Sequence, residues 1–251
     1  MFRTIKNLYR LIGIMRTLAR YDAVFPLEKL DLPDWAVRGL SFLAGRASKK
    51  YADHRPGERL AMALQEQGPS FIKFGQSLST RSDLIGEEVA QDLAGLRDRL
   101  PPFSIEDARK TIESEFEQPL EALYATFDTE PVAAASIAQV HFATTTTGEE
   151  VAVKILRPGI EEAFQRDLDL YYWVAEVIET LQPGFRRLRP VEVVRTFQES
   201  VDLEMDLRLE AAAASELSDG FEHDPDFGVP LIDWNLTQRR VMTIERIHGI
   251  S

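Results

Sequence analysis

The chain of 251 residues contains no cysteine. Disulfides and thiolate-held metals are thereby excluded, and the composition fits a reducing compartment. Histidine is scarce as well. His54, His141, His223 and His248 stand at spacings that make no helical or loop metal cluster, so no zinc or iron site is expected and no metal ligand is assigned. No apolar run approaches the ~20 residues that span a bilayer, and no short hydrophobic core with a small-residue cleavage site follows the N-terminus. Positive charge is also short: the formal net charge is −12, which argues against nucleic-acid binding, since that needs a basic surface.

What is present is enough apolar content, 44%, for a core in one large domain or two smaller ones. The charge is uneven. Residues 1–20 hold Arg3, Lys6, Arg10, Arg16 and Arg20 and no acid, leaving the remainder near −17. In the same segment Ile5, Leu8, Ile12, Met15 and Ala19 recur at helical spacing, so it reads as an amphipathic helix. Such a helix either lies on an anionic membrane or docks its stripe on the rest of the protein.

From Asp34 to Glu121 the pattern is helical: Asp34–Ser48, Pro56–Gln67, Pro69 to about Asp83, Glu87–Leu100 and Ser104–Glu117, with Pro69 suited to a first turn and Ser104 with Asp107 resembling a capping box. Two β-rich runs follow, Ile137–Ala143 and Val151–Leu156, joined by a turn at Thr144-Thr145-Thr146-Thr147-Gly148. In the second run Val151, Val153 and Ile155 share one face, and Ala152, Lys154 and Leu156 the other. Pro158 opens a helix to about Leu181, a further helix runs from Pro190 to about Ser218, and Val229–Trp234 and Arg240–Ile247 alternate as strands.

Four motifs carry chemistry. Ala133, Ala135, Ala138 and Val140 stand where a kinase has the glycines and valine of its phosphate-covering loop, and Val151-Ala152-Val153-Lys154 stands where it has the nucleotide-lysine strand. Alanine loses about 1–2 kcal/mol in the left-handed conformation that glycine adopts freely, so an alanine loop is stiffer. Taken alone, the stretch reads equally as an ordinary small-residue hairpin with a surface lysine. Lys73-Phe74-Gly75-Gln76 puts Lys73 and Gln76 on one helix face around a mid-helix glycine, which costs about 1 kcal/mol against alanine and implies close approach of another backbone or a ligand. Glu204, Asp206 and Glu210 are candidate carboxylate partners for the lysine, with Asp206 and Glu210 on one face and Glu204 paired to Arg208. Asp226-Phe227-Gly228 spells a kinase metal-binding tripeptide but precedes the last two strands, and is read as a connecting turn.

In this order the motifs resemble the UbiB/ADCK family of atypical kinase-like proteins, over nearly the whole chain. The resemblance implies an α+β fold: a kinase-like N-lobe of antiparallel sheet plus helices, over residues 126–251 and ending at the hinge, preceded by a helical N-terminal extension over residues 1–125 that covers the cleft. It implies that Lys154 and Glu210 are the catalytic ion pair. It further implies that Ala133, Ala134, Ala135, Ser136, Ile137, Ala138, Val140 and Lys154 bind ATP or ADP, and that Lys73, Gln76, Glu204 and Asp206 are regulatory, with Lys73 latched to one of the acids. The family's C-lobe, with its catalytic aspartate and Mg²⁺ ligands, is expected to follow about Glu245–Gly249 and is absent from these residues. The chain alone is therefore expected to be inactive, to bind nucleotide weakly and to self-associate as a homo-oligomer through an apolar face. The implied function of the parent is support of ubiquinone biosynthesis on the cytoplasmic side of the bacterial inner membrane, with quinone-biosynthesis enzymes or lipid as partners. A non-catalytic, nucleotide-gated scaffold for lipid-modifying enzymes is the alternative. A polyprenylphenol hydroxylase finds no dinucleotide fingerprint or iron ligands here. Removal of residues 1–22 is expected to weaken sedimentation with anionic vesicles, and equal sedimentation of both forms is the result that excludes a membrane role for this segment.

Overall fold

The structure, a computed structural model, describes residues 2–25, 48–96, 100–181, 183–224 and 226–249. The helix expected over Asp34–Ser48 lies outside them apart from Ser48. In chain order the named elements are α1 (Phe2–Arg20), α2 (Pro56–Gln67), α3 (Pro69–Ser79), α4 (Ser82–Ile85), α5 (Glu87–Ala94), α6 (Ile105–Phe116), α7 (Leu120–Leu123), β1 (Tyr124–Phe127), β2 (Ala133–Ala134), β3 (Ala138–Thr145), β4 (Glu150–Leu156), α8 (Ile160–Leu181), α9 (Pro190–Glu204), α10 (Leu207–Gly220) and β5 (Val241–Glu245). They form two units, Met1–Asp98 with Glu162–Gln198 and Arg99–Glu161 with Glu199–Ser251. A single division near residue 125 does not coincide with these units, because each is built from two separate stretches of chain.

The first unit is helical. Leu60 and Leu64 of α2, Phe71 of α3, Leu93 of α5, Ile14 of α1 and Leu170 of α8 share one buried cluster. The mid-helix glycine of α3 has its reason here. A Cβ on Gly75 would lie 2.6 Å from Leu96 Cδ1 and 2.8 Å from Leu64 Cδ1, so the approaching groups are two leucine side chains of the core rather than the expected backbone or ligand. Its neighbour Phe74 packs 5.1 Å from Tyr171 and 5.6 Å from Phe197.

The stripe of α1 divides along its length. Met15 and Ala19 are buried, whereas Ile5 and Leu8 stay 49% and 46% exposed. Its charges are also engaged: Arg3 Nε meets Asp169 Oδ1 at 2.7 Å, Arg10 pairs with Asp167, and Arg20 pairs with Glu66. Asp167 is itself buried and also accepts from Ser70 of α3, so one carboxylate of α8 holds both α1 and α3.

The second unit is built on an antiparallel sheet in the order β1-β3-β4-β5, with β2 paired to β3. Its hairpin runs in register from Ala138↔Leu156 to Thr144↔Glu150, and the turn closes at Gly148, whose φ of +92° suits glycine. Val151, Val153 and Ile155 enter a core with Ala108 and Ile112 of α6 and Tyr124 of β1, as the alternation of β4 requires. Ser104 caps α6 by accepting from Asp107 N. Several elements differ from the sequence reading: the helix expected from Pro69 to about Asp83 ends at Ser79, the one expected over Glu87–Leu100 ends at Ala94, and β1 was not anticipated. Val229–Trp234 forms no strand and touches the sheet through one bridge, Ile232↔Ile244. The helix expected from Pro190 to Ser218 is broken after Glu204. Met205 and Leu207 on either side of Asp206 are both buried, and a continuous helix cannot turn residues two apart to the same side.

Gln139 and His141, both buried in β3, lock this sheet to the segment before α6. Gln139 Oε1 accepts from Phe103 N at 3.0 Å, His141 Nδ1 donates to the Asp128 carbonyl at 2.7 Å, and His141 Nε2 then accepts from Gln139 Nε2 at 2.8 Å. Burial pushes the His141 imidazole below its ordinary value of 6.5, which suits the neutral tautomer this network needs. As pH falls below about 6.5, the histidine of the unfolded chain takes up a proton that the folded one refuses, so stability falls by up to about 1.4 kcal/mol per pH unit in that window. Thermal unfolding followed from about pH 7.5 to about pH 5 should show a smaller pH-dependent loss in His141→Gln than in the parent. Equal slopes would contradict the assignment.

Candidate functional site

The sheet register builds the site. Val140, Lys154 and Met242 are direct cross-strand partners in one row, and Phe142, Ala152 and Ile244 form the next. Because Val151, Val153 and Ile155 take the core, this second face is left with small and apolar groups around Lys154. Lys154 Nζ donates to both carboxylate oxygens of Glu210 at 2.7 Å. An ammonium has three N–H donors, so one remains for a ligand oxygen.

Glu210 reaches the lysine because of the break between α9 and α10. Asp206, read from the sequence as sharing a helical face with Glu210, is instead the N-cap of α10, accepting from Arg208 N at 3.1 Å. The Arg208 side chain also forks onto Asp206, at 2.9 and 2.6 Å, and holds its carboxyl below the usual range. The continuous helix from which Glu204 and Arg208 were read as an i, i+4 pair is absent, since α9 ends at Glu204. Glu210 falls in the first turn of α10, where the helix dipole favours a carboxylate. The Lys154 and Glu210 side chains are 27% and 48% exposed, so the pair is not buried and its own contribution to stability is small, about 0.2–1 kcal/mol.

The alanine loop is a tight hairpin between β2 and β3. Ala133 faces Val140, Ala134 faces Gln139, and Ala135 N donates to Ala138 O at 2.7 Å. Among the described residues none from Ala133 to Ala138 has positive φ, as alanine dictates. Ser136, Ile137 and Ala138 are buried, whereas Ala133 is exposed and Ala134, Ala135 and Val140 are half-buried. Lys73 and Gln76 sit on α3 in the helical unit, and Glu204 and Asp206 belong to the sheet unit. Asp226-Phe227-Gly228 lies in the connection between α10 and β5, where the Phe227 ring packs 4.4 Å from Phe221.

Two residues at this site escaped the sequence reading. Arg246 places its guanidinium 3.8 Å from the centroid of Phe142, one row from Lys154, and bonds Glu150 at 3.3 Å. Arg157 bonds carbonyls of the alanine loop. Neither could be found from periodicity, since Arg157 stands beyond the last residue of β4 and Arg246 beyond the last residue of β5. Among the described residues no three of His, Asp and Glu gather to hold a metal ion. A cavity of about 530 Å³ in the helical unit, between α2 and α5, contains none of the candidate residues, and its one buried acid, Asp92, is paired with Arg55.

A lysine from the strand after a small-residue hairpin, clasped by a glutamate from a packed helix, defines a kinase-like N-lobe. Residues 95–251 match the ABC1 atypical kinase-like domain, and the chain belongs to that family. It is similar to proteins named "Probable protein kinase UbiB": 43% identical over 97% of this chain and 44% of that from Marinobacter nauticus, and 40% identical over 96% of this chain and 46% of that from Pseudomonas paraeruginosa. The chain thus spans about half the length of the curated relatives it matches. The solved structure titled as the complex of Rv3197 with erythromycin, from Mycobacterium tuberculosis, aligns with a TM-score of 0.53 at 28% identity, over 76% of this chain and 47% of that one.

The exposure of the ion pair separates stability from function. In a double-mutant cycle of Lys154→Met and Glu210→Gln, read by chemical denaturation, the coupling should stay at or below about 1 kcal/mol. A coupling of about 3 kcal/mol or more would mark the pair as a buried structural one.

Proposed function

We propose that this chain grips the nucleotide of an atypical kinase-like protein that supports ubiquinone biosynthesis by binding ATP or ADP with Mg²⁺. The observation that carries the proposal is the placement of Lys154 Nζ, 2.7 Å from both Glu210 oxygens, on a sheet face beside the apolar Val140, Phe142, Ala152, Met242 and Ile244. Those apolar side chains suit a flat base, and the remaining N–H of Lys154 suits a phosphate oxygen. Glu210 fixes the direction of the ammonium without burying it. Mg²⁺ bound with the nucleotide supplies neutralisation of phosphate charge. Its protein ligands are assigned to family motifs that these residues do not include, and by the same reasoning the chain by itself turns nothing over.

The membrane surface, quinone-biosynthesis enzymes or lipid, and a second copy of the chain are the proposed partners, on the cytoplasmic side of the inner membrane. Exposed Ile5, Leu8 and Tyr9 at the start of α1 support a surface contact there. A second reading, a nucleotide-gated scaffold, is supported by the burial of Ser136, Ile137 and Ala138, since a loop held down this firmly suits binding more than turnover. ATP hydrolysis by a longer form of the protein separates the two.

Equilibrium titration with a fluorescent ADP analogue and Mg²⁺ tests the common core of both readings. Loss of one charge-assisted contact in Lys154→Met should weaken binding about 10- to 100-fold. Absence of saturable binding by the parent, or equal affinity in the variant, would remove the proposal.

A further inference from the structure

We infer that Arg157 is the residue that positions the alanine loop, by taking the carbonyls of consecutive loop peptides onto one side. Arg157 Nη2 donates to the Ala135 carbonyl at 3.3 Å, Nε to the Ser136 carbonyl at 3.3 Å, and the Arg157 backbone N–H to the Ile137 carbonyl at 2.7 Å. All the peptide oxygens from Ala135 to Ile137 therefore answer to one residue. Nη2 reaches further to the Pro101 carbonyl at 3.0 Å, and the guanidinium carbon lies 5.3 Å from the centroid of Phe103. The segment under the arginine is fixed in turn, because Phe103 exchanges hydrogen bonds with the Gln139 side chain at 3.0 and 3.4 Å.

The geometry requires an arginine. A planar fork with several donors can serve carbonyls in different directions while its face rests on an aromatic ring, whereas a lysine ammonium on a flexible stem does neither at once. The consequence for the loop follows from the planar trans peptide, in which the carbonyl and the following N–H lie on opposite edges. Holding the oxygens of Ala135, Ser136 and Ile137 turns the N–H edges of Ser136, Ile137 and Ala138 away from Arg157. In a glycine loop this choice is made when a phosphate arrives. Here it is made beforehand, by an arginine and by residues that avoid positive φ. Arg157 is a positioning residue in this account and touches no nucleotide; its importance for binding rests on the nucleotide reading above.

The test has two independent readouts on Arg157→Gln, Arg157→Lys and Phe103→Leu, the last keeping every hydrogen-bonding atom of the arginine. In amide exchange without nucleotide, protection of the Ala135 amide should fall about tenfold or more in Arg157→Gln, remain mostly lost in Arg157→Lys and fall less in Phe103→Leu, with Val153 and Ile155 unchanged. Unchanged protection at Ala135, or an equal loss across the whole sheet in all three variants, overturns the positioning role. In titration with the fluorescent ADP analogue and Mg²⁺, the same order of variants should show weakened binding by about three- to tenfold. A loosened loop with parent-like affinity overturns the link to nucleotide. A parent that binds no nucleotide, yet shows the exchange pattern, removes the nucleotide reading and leaves Arg157 as the clamp of the loop.

Discussion

The site depends on the period-two alternation of one central strand. Val151, Val153 and Ile155 are buried to 4% or less in the core against α6, and no rotation of β4 buries them without sending Lys154 to the opposite face. Hydrogen bonding to β3 on one side and β5 on the other then fixes the lysine along the strand direction, with Val140 and Met242 as neighbours. A shift of one residue would exchange the two faces. The hydrophobic effect on one side of the sheet thus determines where the charge stands on the other.

The second requirement is that a carboxylate meet that lysine, and it is supplied by an interruption. An unbroken helix from Pro190 would carry Glu210 in a direction set many residues earlier. Ending α9 at Glu204 and restarting with Asp206 as cap lets α10 take its own direction, anchored where Leu207 N bonds the Arg239 carbonyl at 2.9 Å. Asp206 does this work as the cap of α10, and it also pairs with Arg208 at 2.6 Å.

Much of this was legible in the residues and some was not, for physical reasons. The hairpin, its turn and the two faces of β4 followed from alternation and from Gly148. The α2 span and the Ser104 cap followed from proline and capping chemistry. Gly75 announced a close approach, but periodicity could not say that Leu64 and Leu96 make it. The break at Asp206 was hidden because Glu204, Asp206, Arg208 and Glu210 fit a charged helix equally well; the telling signal was Met205 and Leu207, two large apolar residues flanking Asp206. Arg157 and Arg246 lie beyond the ends of β4 and β5, where side-chain direction is set by tertiary packing. The resemblance to a family supplied the pairing of Lys154 with Glu210, which no spacing argument could choose over Glu204 or Asp206.

The docking of α1 also fixes an order of events during synthesis. Arg3 bonds Asp169 across 166 positions of sequence, and Arg10 meets Asp167 across 157. At a translation rate of about 5–20 residues per second, those acids emerge roughly 8–30 s after the helix they receive. Through that interval Arg3 and Arg10 have no acid from α8 to answer them, although the side chains of α2, α3 and α5 that pack on Ile14 are already made. Any encounter favoured by those two arginines therefore has its longest opportunity before α8 is made.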